Sequence, residues 1–202
     1  VLFRSEAGHL RPRLIQSLAY LAQKYPLYLA TQRPEASALR LLGENRGYFR
    51  GGVFADGAYL RPTWGEPPEV QPLSLNAQAL AALERLADER HLTLRLYHER
   101  GTLYKLTLHS RSGHPISADT IEAVQAVTGS ARLSAEGALL GIVAAQADKG
   151  AGMRALGWRS EEVAYVGNAA CDVPIFAQVG TAIAVADGAP EALAAADYVL
   201  PV

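Results

Sequence analysis

Two hydrophobic rhythms alternate along this chain. Short unbroken apolar runs, Val1-Leu2-Phe3, Leu27-Tyr28-Leu29-Ala30 and Gly51-Gly52-Val53-Phe54, are separated by Pro12 to Lys24 and Pro34 to Leu42, where leucines recur at helical spacing. Runs of that kind predict strands buried on both faces, and helices between them supply the crossovers that a parallel sheet needs. The texture changes after the proline-rich stretch Arg61 to Pro72, which reads as a linker. Asn76 is placed to cap a helix running to about Glu89. Leu92, Leu94 and Leu96, then Tyr104, Leu106 and Leu108, alternate with polar residues around Glu99-Arg100-Gly101, which predicts a hairpin. A second helix over Ser117 to Val127 and a second hairpin, Ala131 to Leu133 with Leu139 to Val143, complete a helix, hairpin, helix, hairpin unit. After Gln146 the first rhythm resumes: helices over Lys149 to Leu156, Val173 to Gln178 and Pro190 to Ala196 alternate with strands at Val163 to Val166, Ala182 to Val185 and Tyr198 to Leu200. The expected fold class is therefore α/β, a parallel-sheet core of residues 1–62 and 146–202 carrying an inserted α+β cap domain of residues 63–145.

Composition narrows the function classes. With 19 basic and 20 acidic residues in 202, the net charge of −1 gives no electrostatic reason to bind nucleic acid or an anionic membrane. Half the residues are hydrophobic and 19% are charged, which excludes a disordered chain, and no apolar run approaches the roughly 20 residues that span a bilayer. The single cysteine, Cys171, rules out an internal disulfide framework. With no signal-peptide pattern, a cytoplasmic setting is expected.

Several short segments then bear on chemistry. Thr31-Gln32-Arg33-Pro34 follows the second strand, Asp56-Gly57-Ala58 follows the third, and Asp148-Lys149-Gly150 opens the helix that re-enters the core. Gly167-Asn168-Ala169-Ala170-Cys171-Asp172 and Ala195-Ala196-Asp197-Tyr198-Val199 follow in that order. Together they resemble the haloacid dehalogenase superfamily, specifically its Cof-like branch of small-molecule phosphatases, which carry an α/β cap in a Rossmann-like core.

That resemblance implies a set of roles. An aspartate after the first strand attacks phosphorus and a second, two residues on, serves as general acid and base. A threonine and a lysine hold the phosphoryl oxygens, and carboxylates of the last motif hold magnesium. Here Arg4 stands at the nucleophile position and Glu6 at the acid/base position, while Asn168 replaces a metal-motif aspartate and Cys171 an asparagine. The resemblance thus assigns Arg4, Thr31 and Lys149 to phosphate, Glu6 to any surviving catalysis, and Asp172 to any surviving metal. It implies no cofactor unless hydrolysis survives, when magnesium would be needed. Arg4 reads equally as an anion ligand or as a counter-ion to Asp172 or Glu6. Lys149 also reads as a surface lysine at a helix start, Asp172 as a helix N-cap, Thr31 as a turn cap, and Cys171 as a small buried residue. Two functions follow: a degenerate protein that binds a small phosphorylated ligand or a protein partner, or a divergent hydrolase of a phosphate monoester such as a sugar phosphate. The expected pocket is open, with Asp172 leaving Lys149 free for an anion.

Overall fold

A computed structural model describes residues 12–201; the strand expected at Val1 to Phe3, with Arg4 and Glu6, lies outside the described residues. The chain enters through α1 (Pro12–Ala22), then β1 (Leu27–Ala30), α2 (Glu35–Leu42), β2 (Phe49–Phe54), β3 (Tyr59–Arg61) and β4 (Glu69–Val70). β1 and β2 run parallel, with Ala30 opposite Val53. β3 and β4 then add antiparallel to β2, in the order β1-β2-β3-β4. The proline-rich stretch therefore contains strand pairing that its composition conceals: the backbone of Glu69 and Val70 pairs with β3 whatever its neighbours' propensity.

The inserted segment is α3 (Ala77–Glu89), β5 (Leu92–Glu99), β6 (Thr102–Ser110), α4 (Ala118–Thr128), β7 (Arg132–Glu136) and β8 (Leu139–Val143). Asn76 caps α3 through its side-chain oxygen, which accepts from the Ala79 amide at 2.8 Å. The four strands form one antiparallel sheet in the order β5-β6-β8-β7. Leu106, Leu108, Leu140 and Ile142 point to one face of it and bury against Leu83 and Val124 of the two helices. Strand side chains alternate between faces, so Lys105 and Thr107 lie on the other face. That second face is also buried at these two positions.

The chain returns through α5 (Lys149–Ala155), β9 (Ala164–Gly167), α6 (Val173–Phe176), β10 (Thr181–Val185), α7 (Pro190–Ala195) and β11 (Tyr198–Leu200). β9, β10 and β11 are parallel, in the order β11-β10-β9. Among the described residues this group and the β1 to β4 group share no ladder. They are joined by a hydrophobic cluster in which Val53 and Leu60 meet Met153, Tyr165, Ile175, Phe176 and Ala184. α5 lies close over β2 and β3 because Gly152 has no side chain there: a Cβ would come within 2.8 Å of both Val53 and Leu60.

Candidate functional site

The chain turns sharply where β1 and β2 end, and the two turns are laced together. The Thr31 amide donates to the Val53 carbonyl at 2.9 Å, the Ala55 amide to the Arg33 carbonyl at 2.9 Å, and the Asp56 amide to the Thr31 carbonyl at 3.3 Å. Within the first turn the Thr31 hydroxyl accepts from the Arg33 amide at 3.2 Å, which leaves its own proton free to donate. In the second turn Ala55, Asp56 and Gly57 all have positive φ, at 51°, 57° and 92°. Gly57 is required there for a second reason. A Cβ on it would sit 2.1 Å from the Asp148 carbonyl oxygen, so only glycine lets the turn abut the start of α5.

Asp148 caps α5, accepting from the Ala151 amide at 2.7 Å, and so directs the next residue, Lys149, into the protein. Lys149 is 7% exposed, and its ammonium lies 2.8 Å from Asp172 Oδ1 and 3.7 Å from Cys171 Sγ. The surface-lysine reading is thereby set aside. Asp172, 4% exposed, is surrounded by donors. Its Oδ1 also accepts from the Tyr165 hydroxyl at 2.8 Å, and its Oδ2 accepts from the amides of Asn168 and Ala169 at 3.0 and 3.1 Å. Gly167 permits this fold-back, since a Cβ there would approach Asp172 Cβ to 2.7 Å. The capping role expected of Asp172 is corrected accordingly: it makes no side-chain hydrogen bond at the start of α6 and reaches backward instead.

The electrostatics of this pair are self-consistent. Burial works against the Lys149 charge, but Asp172 outweighs it and holds the ammonium above its ordinary value. Burial likewise pushes Asp172 up, and the Lys149 ammonium with the converging donors holds it below the usual carboxylate range. Burial pushes the Cys171 thiol up, with Lys149 only partly opposing. The open pocket with an unpaired Lys149 is therefore not the arrangement found. An ammonium this deeply buried needs a partner, and Asp172 supplies it.

A second buried ion pair adjoins the first and was not anticipated. Lys105, 2% exposed, reaches from β6 to Asp56 Oδ2 at 3.1 Å and to the Gln32 carbonyl at 2.6 Å. The Ser134 hydroxyl of β7 donates to the same Asp56 oxygen at 3.3 Å. Burial pulls the Lys105 ammonium below its ordinary value, against the attraction of Asp56. The sequence did carry a signal for it: only Lys24, Lys105 and Lys149 are lysines, and Lys105 falls in mid-strand between apolar neighbours. Thr31, Gln32, Asp56, Lys105, Lys149 and Asp172 thus form one cluster at the ends of β1, β2 and β9. Doubly wound sheets place their ligands at such carboxyl ends.

The described residues at this cluster do not fit a magnesium ion. A hard divalent cation wants anionic oxygens, and both oxygens of Asp172 are already committed to four protein donors. Asn168 beside it is neutral. Among the described residues no group of three or more His, Cys, Asp or Glu side chains could hold a metal.

Comparison with known proteins now bears on this arrangement. Residues 116–202 match the family of haloacid dehalogenase-like hydrolases. The fold extends the likeness to nearly the whole chain: a haloacid dehalogenase subclass IIB sugar phosphatase superposes with TM-score 0.78 at 17% identity, over 99% of this chain and 89% of its own. Residues 116–202 are haloacid dehalogenase-like, and the chain as a whole has the fold of these structures. A haloacid dehalogenase-like hydrolase from Bacteroides thetaiotaomicron gives TM-score 0.78 at 18% identity, over 99% of this chain and 90% of its own. Another from B. subtilis gives TM-score 0.73 at 14% identity, over 99% and 91%. No curated protein matches the sequence. The fold expected from the short motifs, an α/β core with an inserted cap, is the one found, and the family expected is the one whose model matches residues 116–202. No helix among the described residues is long and apolar enough to cross a membrane.

Proposed function

We propose that this haloacid dehalogenase-like chain binds the phosphoryl group of a small phosphate monoester, such as a sugar phosphate, without a metal ion and without phospho-aspartate turnover. One observation carries the reading: the carboxylate of Asp172 is spent inside the protein, on Lys149, Tyr165 and two backbone amides. Phosphotransfer of the kind the resemblance implies needs anionic oxygens to hold a cation against the phosphate charge. Here Asn168 is neutral, Asp172 is engaged, and Arg4 occupies the nucleophile position in the sequence.

What remains suits anion binding. The Thr31 hydroxyl has a proton to give, and the Lys149 ammonium has three, of which one is directed at Asp172 and one at the Cys171 sulfur. Hydrogen bonds from an ammonium to phosphate oxygens are the strong, charge-assisted kind. A phosphoryl group here would share Lys149 with Asp172, so binding is expected to be selective for the dianion and modest in strength.

Titration calorimetry with inorganic phosphate and a set of sugar phosphates, with and without magnesium, tests this. The expected result is binding indifferent to magnesium and reduced in Lys149→Met. A magnesium-dependent rate on an aryl phosphate that disappears in Glu6→Gln would overturn the reading and establish a hydrolase.

A further inference from the structure

Lys105 is the feature of this site that the motifs do not explain. It sits in the middle strand pair of the inserted sheet, with Val143 of β8 and Tyr97 of β5 opposite it. Nothing in the folding of that sheet calls for a charge at this position. The apolar face of the sheet is complete without it, and burying an ammonium is costly unless it is well paired. Room has nevertheless been made for it: a Cβ on Gly141 would come within 3.2 Å of the Lys105 Nζ and 2.9 Å of the Ser134 Oγ.

The partners that satisfy Lys105 belong to the core, not to its own sheet. Two bonds leave the ammonium, one to the Gln32 carbonyl in the turn after β1 and one to Asp56 in the turn after β2. These are the same two turns that are laced together around Thr31 by the amides of Arg33, Ala55 and Asp56. Asp56 has a positive φ of 57° in a non-glycine residue, a conformation that persists only when its surroundings hold it. Lys105 and Ser134 hold its side chain.

We propose that Lys105, delivered by the inserted sheet, is the positioning residue of the phosphoryl site: its bonds to Gln32 and Asp56 set the Thr31 to Arg33 turn, so the site is formed only while the insert is seated on the core. This rests on the reading of Thr31 and Lys149 as phosphate ligands, and it deepens that reading by making the cap a condition of binding. Lys105 itself keeps its protein partners and does not touch the ligand. Removing it frees the Gln32 carbonyl, relaxes the Asp56 turn, and lets the Thr31 hydroxyl wander from its donor geometry.

The test uses the whole chain, with two readouts. In Lys105→Met, hydrogen exchange at the amides of Arg33, Ala55 and Asp56 should accelerate at least tenfold, while exchange at the centre of β10 stays as in the wild type. Affinity for inorganic phosphate should fall about tenfold alongside. Lys105→Arg, which can reach the same carbonyl and carboxylate, should recover part of both. If Lys105→Met does not fold, the uncharged hydrogen-bonding double variant Asp56→Asn with Lys105→Gln takes its place, with the same expectation at a smaller amplitude. Unchanged exchange at all three amides overturns the proposal. Unchanged exchange with lost phosphate binding also overturns it, since Lys105 would then be a direct ligand. Should the wild type fail to bind phosphate, the ligand reading fails by itself, and the exchange result still decides whether Lys105 sets the turn.

Discussion

Replacing Lys149 by methionine removes one charge from the buried Lys149–Asp172 pair while nearly preserving the volume of the side chain, so the loss is electrostatic rather than a cavity. The ammonium lies 2.8 Å from Asp172 Oδ1, with the two residues 7% and 4% exposed. Stranding one member of such a pair costs about 3–5 kcal/mol. Asp172 retains the Tyr165 hydroxyl and two backbone amides as donors, which favours the lower end, about 3 kcal/mol. For a chain of this size each kcal/mol moves the melting temperature by roughly 2–4 °C, so a drop of roughly 6–12 °C is expected by calorimetry. The pH dependence gives an independent check. Asp172 has its pKa held down in the folded state, so its contribution is present above the unfolded carboxyl value, about 4, and is lost as pH falls through the depressed value. Lys149 has its pKa held up, so its contribution is full below the unfolded lysine value, about 10.4, and is lost as pH rises through the raised one. The pair therefore stabilises across about pH 4 to 10 and fades on both sides. In Lys149→Met the alkaline loss from this group should vanish and the acid loss should shrink. A variant within about 0.5 kcal/mol of the wild type at pH 7, or with an unaltered acid limb in urea titrations, would refute this account of the site.

Further expectations are as direct. Gly57→Ala combines a positive φ of 92° with a Cβ 2.1 Å from the Asp148 carbonyl, so it should cost more than about 3 kcal/mol and leave the protein poorly folded by circular dichroism. Asn76→Ala removes the cap of α3 and should cost about 1 kcal/mol in urea denaturation, with no effect on phosphate affinity. Cys171, its thiol raised by burial, should react with iodoacetamide at pH 8 at least about tenfold more slowly than in the urea-unfolded chain; an equal rate would contradict the burial assigned to it.

The two buried lysines give the site a division of labour. Lys149 comes from the core and is neutralised by a core carboxylate, while Lys105 comes from the insert and is neutralised by a carboxylate on a core turn. The net charge of these four groups is zero, so under the proposed function an arriving phosphate would compete with Asp172 rather than fill a vacant positive hole. That competition is the physical reason the proposed binding is expected to be modest and independent of magnesium.

Much of the architecture was written in local pattern. The apolar runs at Leu27 to Ala30 and Ala182 to Val185, the alternation at Tyr104 to Leu108, and the cap at Asn76 each specify an element through short-range physics: side-chain period, turn chemistry and helix ends. The motif segments around Thr31, Lys149 and Asp172 were equally legible, because their spacing is a property of the chain. What the pattern could not give was pairing. β4 lies in a stretch whose prolines suggest a linker, yet Glu69-Val70 gains its partners from β3, just as Tyr59 to Arg61 before it gains its own from β2. Nor could any local rule state that Lys105 would meet Asp56, 49 residues away, or that Asp172 would turn both oxygens inward instead of toward a ligand. Those outcomes depend on which charges are buried together, and the cost of burying a charge is decided by neighbours that only the folded chain brings within 3 to 4 Å.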